Sequence, residues 1–236
     1  MSIIIITAMQ EEYDAIQSVL EWDKESGDHS FNGQRVIICK SGIGKVNAAQ
    51  HLADAVIKEK MISTVDLVIN TGVAGNLSRD QNIGDIVLGT ECFHHDVDAT
   101  GFGYEKFQVP GMPASYKANP ELVRRTLELS EGMNVRVYAG PIATGDQFIH
   151  SHIGKERINL NKPDARCVEM ESAAFAQVCY NFKIKFLAIR SISDDADGKA
   201  PTNFNEFLKE ASLNAAELVK RLVIDITSPQ LKKEGA

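Results

Sequence analysis

Apolar residues along this chain fall into two alternating patterns. Short runs that are apolar at nearly every position, such as Ser2-Ile3-Ile4-Ile5-Ile6-Thr7, alternate with longer amphipathic stretches. The first pattern predicts strands buried on both faces, and the second predicts helices with one apolar stripe. Strands are predicted at Ser2–Thr7, Arg35–Lys40, Val65–Asn70, Gly84–Glu91, Val135–Ile142 and Ile184–Ile189. Helices are predicted at Glu11–Leu20, Lys45–Lys60, Pro120–Glu131, Glu171–Asn181 and Asn205–Ile226. Such alternation implies an α/β fold, a sandwich of helices around a mostly parallel or mixed sheet. One segment, His94 to Lys117, fits neither pattern and carries Gly101, Gly103, Pro110, Gly111 and Pro113. Irregular loops of that length in a compact domain are usually functional. Residues 229–236 are polar and expected to fray.

Composition narrows the class. With 236 residues, 44% hydrophobic and 24% charged, the chain suits one domain, residues 1–228, with a sizeable core. A net charge of −7 argues against nucleic acid or an anionic membrane as the main partner. The N-terminal apolar run lacks a basic flank and is too short for a signal or membrane segment. Cys39, Cys92, Cys167 and Cys179 are scattered without a C-x-x-C pair, which suits reduced thiols and a cytoplasmic location.

Candidate chemistry gathers where strands end, the usual place for ligands in α/β folds. The block Cys167-Val168-Glu169-Met170-Glu171-Ser172-Ala173-Ala174 sets two acids among small and apolar residues. A carboxylate heading indoors is costly unless something binds it. Either acid could instead favour the first turn of a helix. The first strand runs into Ala8-Met9-Gln10-Glu11-Glu12, and the last into Arg190-Ser191-Ile192-Ser193-Asp194-Asp195. Glu12, Glu171, Arg190 and Asp194 could therefore converge although far apart in sequence. Each also has a plain reading, a helix first turn for Glu12 and a cap or turn for Asp194.

Other motifs weaken on inspection. Ser41-Gly42-Ile43-Gly44-Lys45 lacks the spacing of a phosphate loop, and Val46 stands where a magnesium-binding hydroxyl would be. Its glycines suit a sharp turn or close backbone approach. Asn70-Thr71-Gly72-Val73-Ala74-Gly75 lacks the dinucleotide fingerprint, so no organic cofactor is expected. In His94-His95-Asp96-Val97-Asp98 the ligating residues are adjacent rather than at metal spacing, so no metal is expected and a hydrogen-bonding role is favoured. No G-x-S-x-G elbow supports a serine nucleophile.

Taken in order, these motifs resemble the bacterial 5′-methylthioadenosine/S-adenosylhomocysteine nucleosidases of the purine nucleoside phosphorylase and nucleosidase superfamily. The resemblance runs from Met1 to about Ile226. It rests on Ala8-Met9-Gln10-Glu11-Glu12, Lys40-Ser41-Gly42-Ile43-Gly44-Lys45-Val46, Asn70-Thr71-Gly72, Gly84-Asp85-Ile86-Val87 and Thr100-Gly101-Phe102-Gly103-Tyr104, and then on Gly145-Asp146-Gln147-Phe148-Ile149, Val168-Glu169-Met170-Glu171 and Arg190-Ser191-Ile192-Ser193-Asp194. It implies a three-layer sandwich with a central mixed β-sheet flanked by helices, nucleoside phosphorylase-like. It implies a hydrolase that cleaves the adenine–ribose bond of methylthioadenosine, S-adenosylhomocysteine and 5′-deoxyadenosine, in methionine salvage and methyl-cycle recycling.

By the same resemblance, Asp194 is the general acid toward adenine N7, with Ser193 beside it, and Glu12 orients the attacking water. Glu171 holds the ribose hydroxyls with Met170 against the sugar. Phe148 stacks on adenine and the Ile149 backbone meets the purine edge. Arg190 belongs to the polar network, and Met9, Ile43 and Phe204 wall the alkylthio end. Phe102, Tyr104 and Pro110 fall in a segment that in the family reaches a neighbouring subunit's pocket, implying a homodimer. Val73 departs from the family, which often has Ser or Thr there. A phosphate-dependent phosphorylase and a non-catalytic purine-binding protein are the rival readings. An acid at Glu12 would repel phosphate and suits water.

Overall fold

The structure is a computed structural model that describes residues 2–20 and 30–228. The polar tail expected at 229–236 lies outside the described residues. In chain order the elements are β1 (Ser2–Thr7), α1 (Gln10–Val19), β2 (Ser30–Phe31), β3 (Gln34–Lys40), α2 (Lys45–Lys60), β4 (Val65–Asn76) and β5 (Ile86–His94). They continue with β6 (Tyr116–Lys117), α3 (Pro120–Leu129), β7 (Val137–Thr144), α4 (His152–Asn161), β8 (Cys167–Glu169), α5 (Ser172–Phe182), β9 (Lys185–Asp194) and α6 (Ala200–Thr227).

Successive side chains of a strand point to opposite faces, and this explains the unbroken apolar runs. Ile4 and Ile6 of β1 pack on the side of α2 and α5, with Leu52, Val56 and Phe175. Ile3 and Ile5 pack on the other side, with Ile16 of α1 and Leu218, Val219 and Leu222 of α6. In β9, Phe186 and Ala188 join the first cluster, Leu187 and Ile189 the second. Helices thus cover both faces, as the patterns predicted, and the sheet is mixed.

Pairing adds a closure that the patterns did not reveal. β1 lies parallel between β3 and β4. β4 is parallel to β9 from Leu67 to Gly75, and at Gly75 and Asn76 it is antiparallel to β8. β9 is antiparallel to β5, β5 parallel to β7, and β7 parallel to β8. Strands β4, β9, β5, β7 and β8 therefore close on one another in a ring.

Four strands, β4, β5, β7 and β9, extend past their predicted ends, β4 and β9 by the most. β4 runs to Asn76 and β9 to Asp194 because they pair with each other there, Gly72 opposite Arg190 and Val73 opposite Ser191. Small and polar residues have weak strand preference of their own, and pairing overrides it. Helix α4 escaped the sequence reading because Ile158 is its one buried residue, so it lacks an apolar stripe. Its start is set by Ser151, whose hydroxyl accepts from Gly154 N at 3.2 Å. The segment from His94 to Lys117 holds only a short 3₁₀ turn at Thr100–Phe102 and the two residues of β6.

Candidate active site

The carboxyl ends of β1, β4, β8 and β9 border a cleft of about 510 Å³. Four acids line it, Glu12, Glu169, Glu171 and Asp194, alongside Met9, Ile43, Val73, Phe148, Met170 and Phe204. No Lys, Arg or His is among the described residues lining it.

Glu12 stands in the first turn of α1 and is buried. Its Oε2 accepts from Ala8 N at 2.9 Å and Met9 N at 3.0 Å, and its Oε1 from Val73 N at 3.1 Å. The plain reading of this acid, a helix-start partner, is thus satisfied along with its place in the cleft. Burial pushes its pKa up, while Arg190 and the three N–H donors pull back without cancelling the rise. Every one of those partners favours the ionised form. Gly72 is required beside it, because a Cβ there would lie 2.2 Å from Glu12 Oε1 and 2.6 Å from Arg190 Nη1.

Arg190 is fully buried behind the acids and does not line the cleft. Its Nη2 donates to Asn70 Oδ1 at 2.7 Å and makes a short contact to Glu169 Oε2. Its guanidinium also lies 3.6 Å from Glu171 and 4.0 Å from Glu12. One cation therefore faces three carboxylates. Glu169 also accepts from the N–H groups of Glu171 and Ser172 at 3.0 and 2.8 Å, which caps α5, and from Thr144 Oγ1. Glu171 Oε1 accepts from Gly44 N at 2.9 Å. Its pKa is raised by burial and by the Glu169 charge beside it. Positive charge developing in the cleft would favour the ionised form of these acids, so the site suits a group that gains positive charge.

Asp194 ends β9 and is buried. Its Oδ1 accepts from Ala196 N and its Oδ2 from Ser193 Oγ, both at 2.9 Å. Burial lifts its pKa against those two bonds, with Asp195 and Asp197 adding to the rise. Ser193 Oγ is also 3.4 Å from Ala74 O. Its hydroxyl can donate to an ionised Asp194, or turn to Ala74 and accept from a protonated one. Asp194 can thus hold or release a proton without leaving a partner unsatisfied.

With this geometry in view, comparison with known proteins settles the family. A model of the Phosphorylase superfamily matches residues 2–224. The 5′-methylthioadenosine/S-adenosylhomocysteine nucleosidase of Anoxybacillus flavithermus is 41% identical over 234 residues, spanning 96% of this chain and 99% of the relative. The chain belongs to the 5′-methylthioadenosine/S-adenosylhomocysteine nucleosidases of the phosphorylase superfamily. The Neisseria meningitidis nucleosidase, solved in complex with methylthio-immucillin-A, has a TM-score of 0.86 at 40% identity, covering 95% of this chain and 99% of that one. The Colwellia psychrerythraea nucleosidase, solved in complex with adenine, has a TM-score of 0.86 at 36% identity, covering 94% of each chain.

Met9, Ile43, Met170, Phe148 and Phe204 meet at the cleft. Phe148 and Phe204 stand edge to face with ring centroids 5.9 Å apart, and Phe148 is 43% exposed, so its ring is open to a ligand. Ile149 does not line the cleft; its side chain is buried with Ile158 and Val168. Phe102, Tyr104 and Pro110 are exposed and lie outside the cleft of the single chain.

Sequence reasoning left Glu169 without a role and passed over Asn70, Thr144 and Ser172. Their signal was that of polar residues in apolar runs, which tells that a partner exists but not which. Among the described residues no cluster of three or more His, Cys, Asp or Glu is placed to hold a metal ion. His94 Nε2 pairs with Gln177 Oε1 at 3.0 Å and Asp96 with Lys45, whereas neither ring nitrogen of the buried His95 has a hydrogen-bond partner among the described residues. Lys45 of the glycine-rich turn is bonded to Asp96 at 2.6 Å.

Proposed function

We propose that Asp194 and Glu12 carry out hydrolysis of the N-glycosidic bond of methylthioadenosine and S-adenosylhomocysteine. Asp194 gives its proton to adenine N7, so the C–N bond breaks with its electron pair leaving on a neutral base. The sugar takes on positive charge, which the carboxyl groups of Glu12 and Glu171 stabilise. Glu12 takes a proton from water as the water oxygen bonds to the anomeric carbon. One protonated and one ionised acid flanking the bond is the logic of an inverting glycosidase applied to nitrogen. Glu171 accepts from the ribose hydroxyls, Met170 packs on the sugar and Phe148 stacks on adenine. Ser193 and Arg190 act as positioning residues behind these groups. The Ile149 backbone meets the purine edge, and Met9, Ile43 and Phe204 wall the 5′ substituent. Proton transfer and fixed charge supply the whole reaction, so no metal or organic cofactor takes part.

The observation that carries the hydrolytic reading is the lining of the cleft, four acids and no cation among the described residues. A phosphate dianion would need arginines or free backbone amides and would find carboxyl groups instead, with the ionised Glu12 repelling it. Adenine release from methylthioadenosine in phosphate-free buffer is therefore expected at full rate. Release only on adding phosphate would establish a phosphorylase.

We also propose a homodimer. Val46 and Phe102 are exposed by 76% and 88%. A groove of about 1000 Å³ lined by Val46, Ala49, Val97, Val109 and Val178 separates α2, α5 and the loop after β5. A second copy covering this face would bring Phe102, Tyr104 and Pro110 toward its partner's cleft. Sedimentation at micromolar concentration should give twice the chain mass, and a monomer alone would refute the shared pocket. The four free thiols suit the reducing cytoplasm. No helix among the described residues is long and apolar enough to cross a membrane.

A further inference from the structure

The two halves of the cleft stand on separate loops. Gly44, whose N–H holds Glu171, and the cleft residue Ile43 belong to the turn before α2. Phe148 belongs to the loop between β7 and α4. Nothing in the chain's local sequence sets the distance between them.

Helix α2 begins at Gly44, which has no side chain to cap it. A side chain is unsuited there, because φ is +94° and a Cβ would come 3.0 Å from Asp146 Oδ1. The free N–H of Lys45 is satisfied from the other loop, by Asp146 Oδ1 at 2.7 Å. An acid at a helix N-terminus is favoured by the bond and by the dipole.

Asp96, on the segment after β5, joins the same pair of loops a second time. Its Oδ1 accepts from Lys45 Nζ at 2.6 Å and its Oδ2 from Asp146 N at 3.0 Å. The Lys45 and Asp96 side chains are only 19% and 14% exposed, so water screens the pair weakly. His95, next in chain, seats the same loop: its ring lies where a Cβ on Gly145 would be, 2.4 Å away.

We infer that Asp96, with Lys45 and Asp146, is a latch that fixes the ribose side of the cleft at its working distance from the adenine side. The inference rests on the nucleosidase reading and names positioning residues for it. Asp96 and Asp146 do not line the cleft, and their hydrogen bonds go to Lys45 and to each other's loops, not to the acids that carry the reaction. A ligand that contacts one half gains nothing from the latch, whereas one that spans both depends on it.

Binding is measured by calorimetry on an Asp194→Asn background, where cleavage of the nucleoside is slowed, using methylthioadenosine and adenine as probes. Asp96→Asn and Lys45→Met are each expected to weaken methylthioadenosine roughly ten-fold, the scale of one lost charged hydrogen bond. Adenine affinity should stay within about two-fold, and Lys45→Arg should restore nucleoside binding. Equal weakening of both probes, or none for the nucleoside, would overturn the latch. If the Asp194→Asn background binds no methylthioadenosine before the latch is altered, the nucleosidase reading fails and the latch with it. Binding there that is unchanged in Asp96→Asn removes the latch alone.

Discussion

Asp194→Asn is expected to slow adenine release by about 10²–10⁴-fold, the usual contribution of a general acid, while the protein folds and binds substrate normally. The amide is close to the carboxyl in shape. Its oxygen can still accept from Ala196 N, and its NH₂ can donate to Ser193 Oγ, whose hydroxyl then turns to Ala74 O. What is lost is the transferable proton. Stability has a definite sign as well. Burial raises the pKa of Asp194, so ionising it in the folded state is costly. That cost is absent below the ordinary carboxylate range and grows as pH rises toward the folded value. The variant should therefore match or exceed the parent in urea unfolding at neutral pH. By the same sign, kcat/KM of the parent should fall as pH rises through the raised pKa, because the acid is then deprotonated. A variant retaining more than a tenth of parental kcat would remove Asp194 as the acid.

Glu12→Gln is expected to cost both turnover and stability. Both carboxylate oxygens accept from backbone N–H groups, two on Oε2 and one on Oε1. Glutamine has one accepting oxygen. Either orientation of its amide turns an NH₂ toward a buried N–H, and the milder one strands Val73 N beside Arg190. Leaving a buried donor unpaired costs about 1–3 kcal/mol, which should appear in urea unfolding. Loss of the group that receives the water proton should lower kcat by about 10²–10⁴-fold. Unchanged turnover would refute the role. The contrast between the two variants is informative, since both replace an acid by its amide. Asp194 has a hydroxyl partner that can reverse its direction, whereas Glu12 is held by donors that cannot.

Much of the frame was legible in the chain. The run of four isoleucines required two covered faces, and that demand alone placed helices on both sides of a sheet. The acids at strand ends were visible as polar residues in apolar settings, and their grouping followed from where α/β folds place ligands. Glu169 was visible but unassignable. Its partner Arg190 is 21 positions away, and residues two apart in sequence, such as Glu169 and Glu171, can share a face or oppose each other.

Local sequence thus determined the six longer strands, most helices and the stock of chemically able residues, because period and propensity act over a few neighbours; the short β2, β6 and β8 exist only through their pairing. Tertiary structure decided the rest. Pairing of β4 with β9 carried both strands past their predicted ends and set Gly72 against Arg190. Only that approach leaves no room for a Cβ at residue 72 and puts one guanidinium among three acids. The raised pKa of Glu12, Glu171 and Asp194 follows from burial, which no residue possesses by itself and only the packed fold confers.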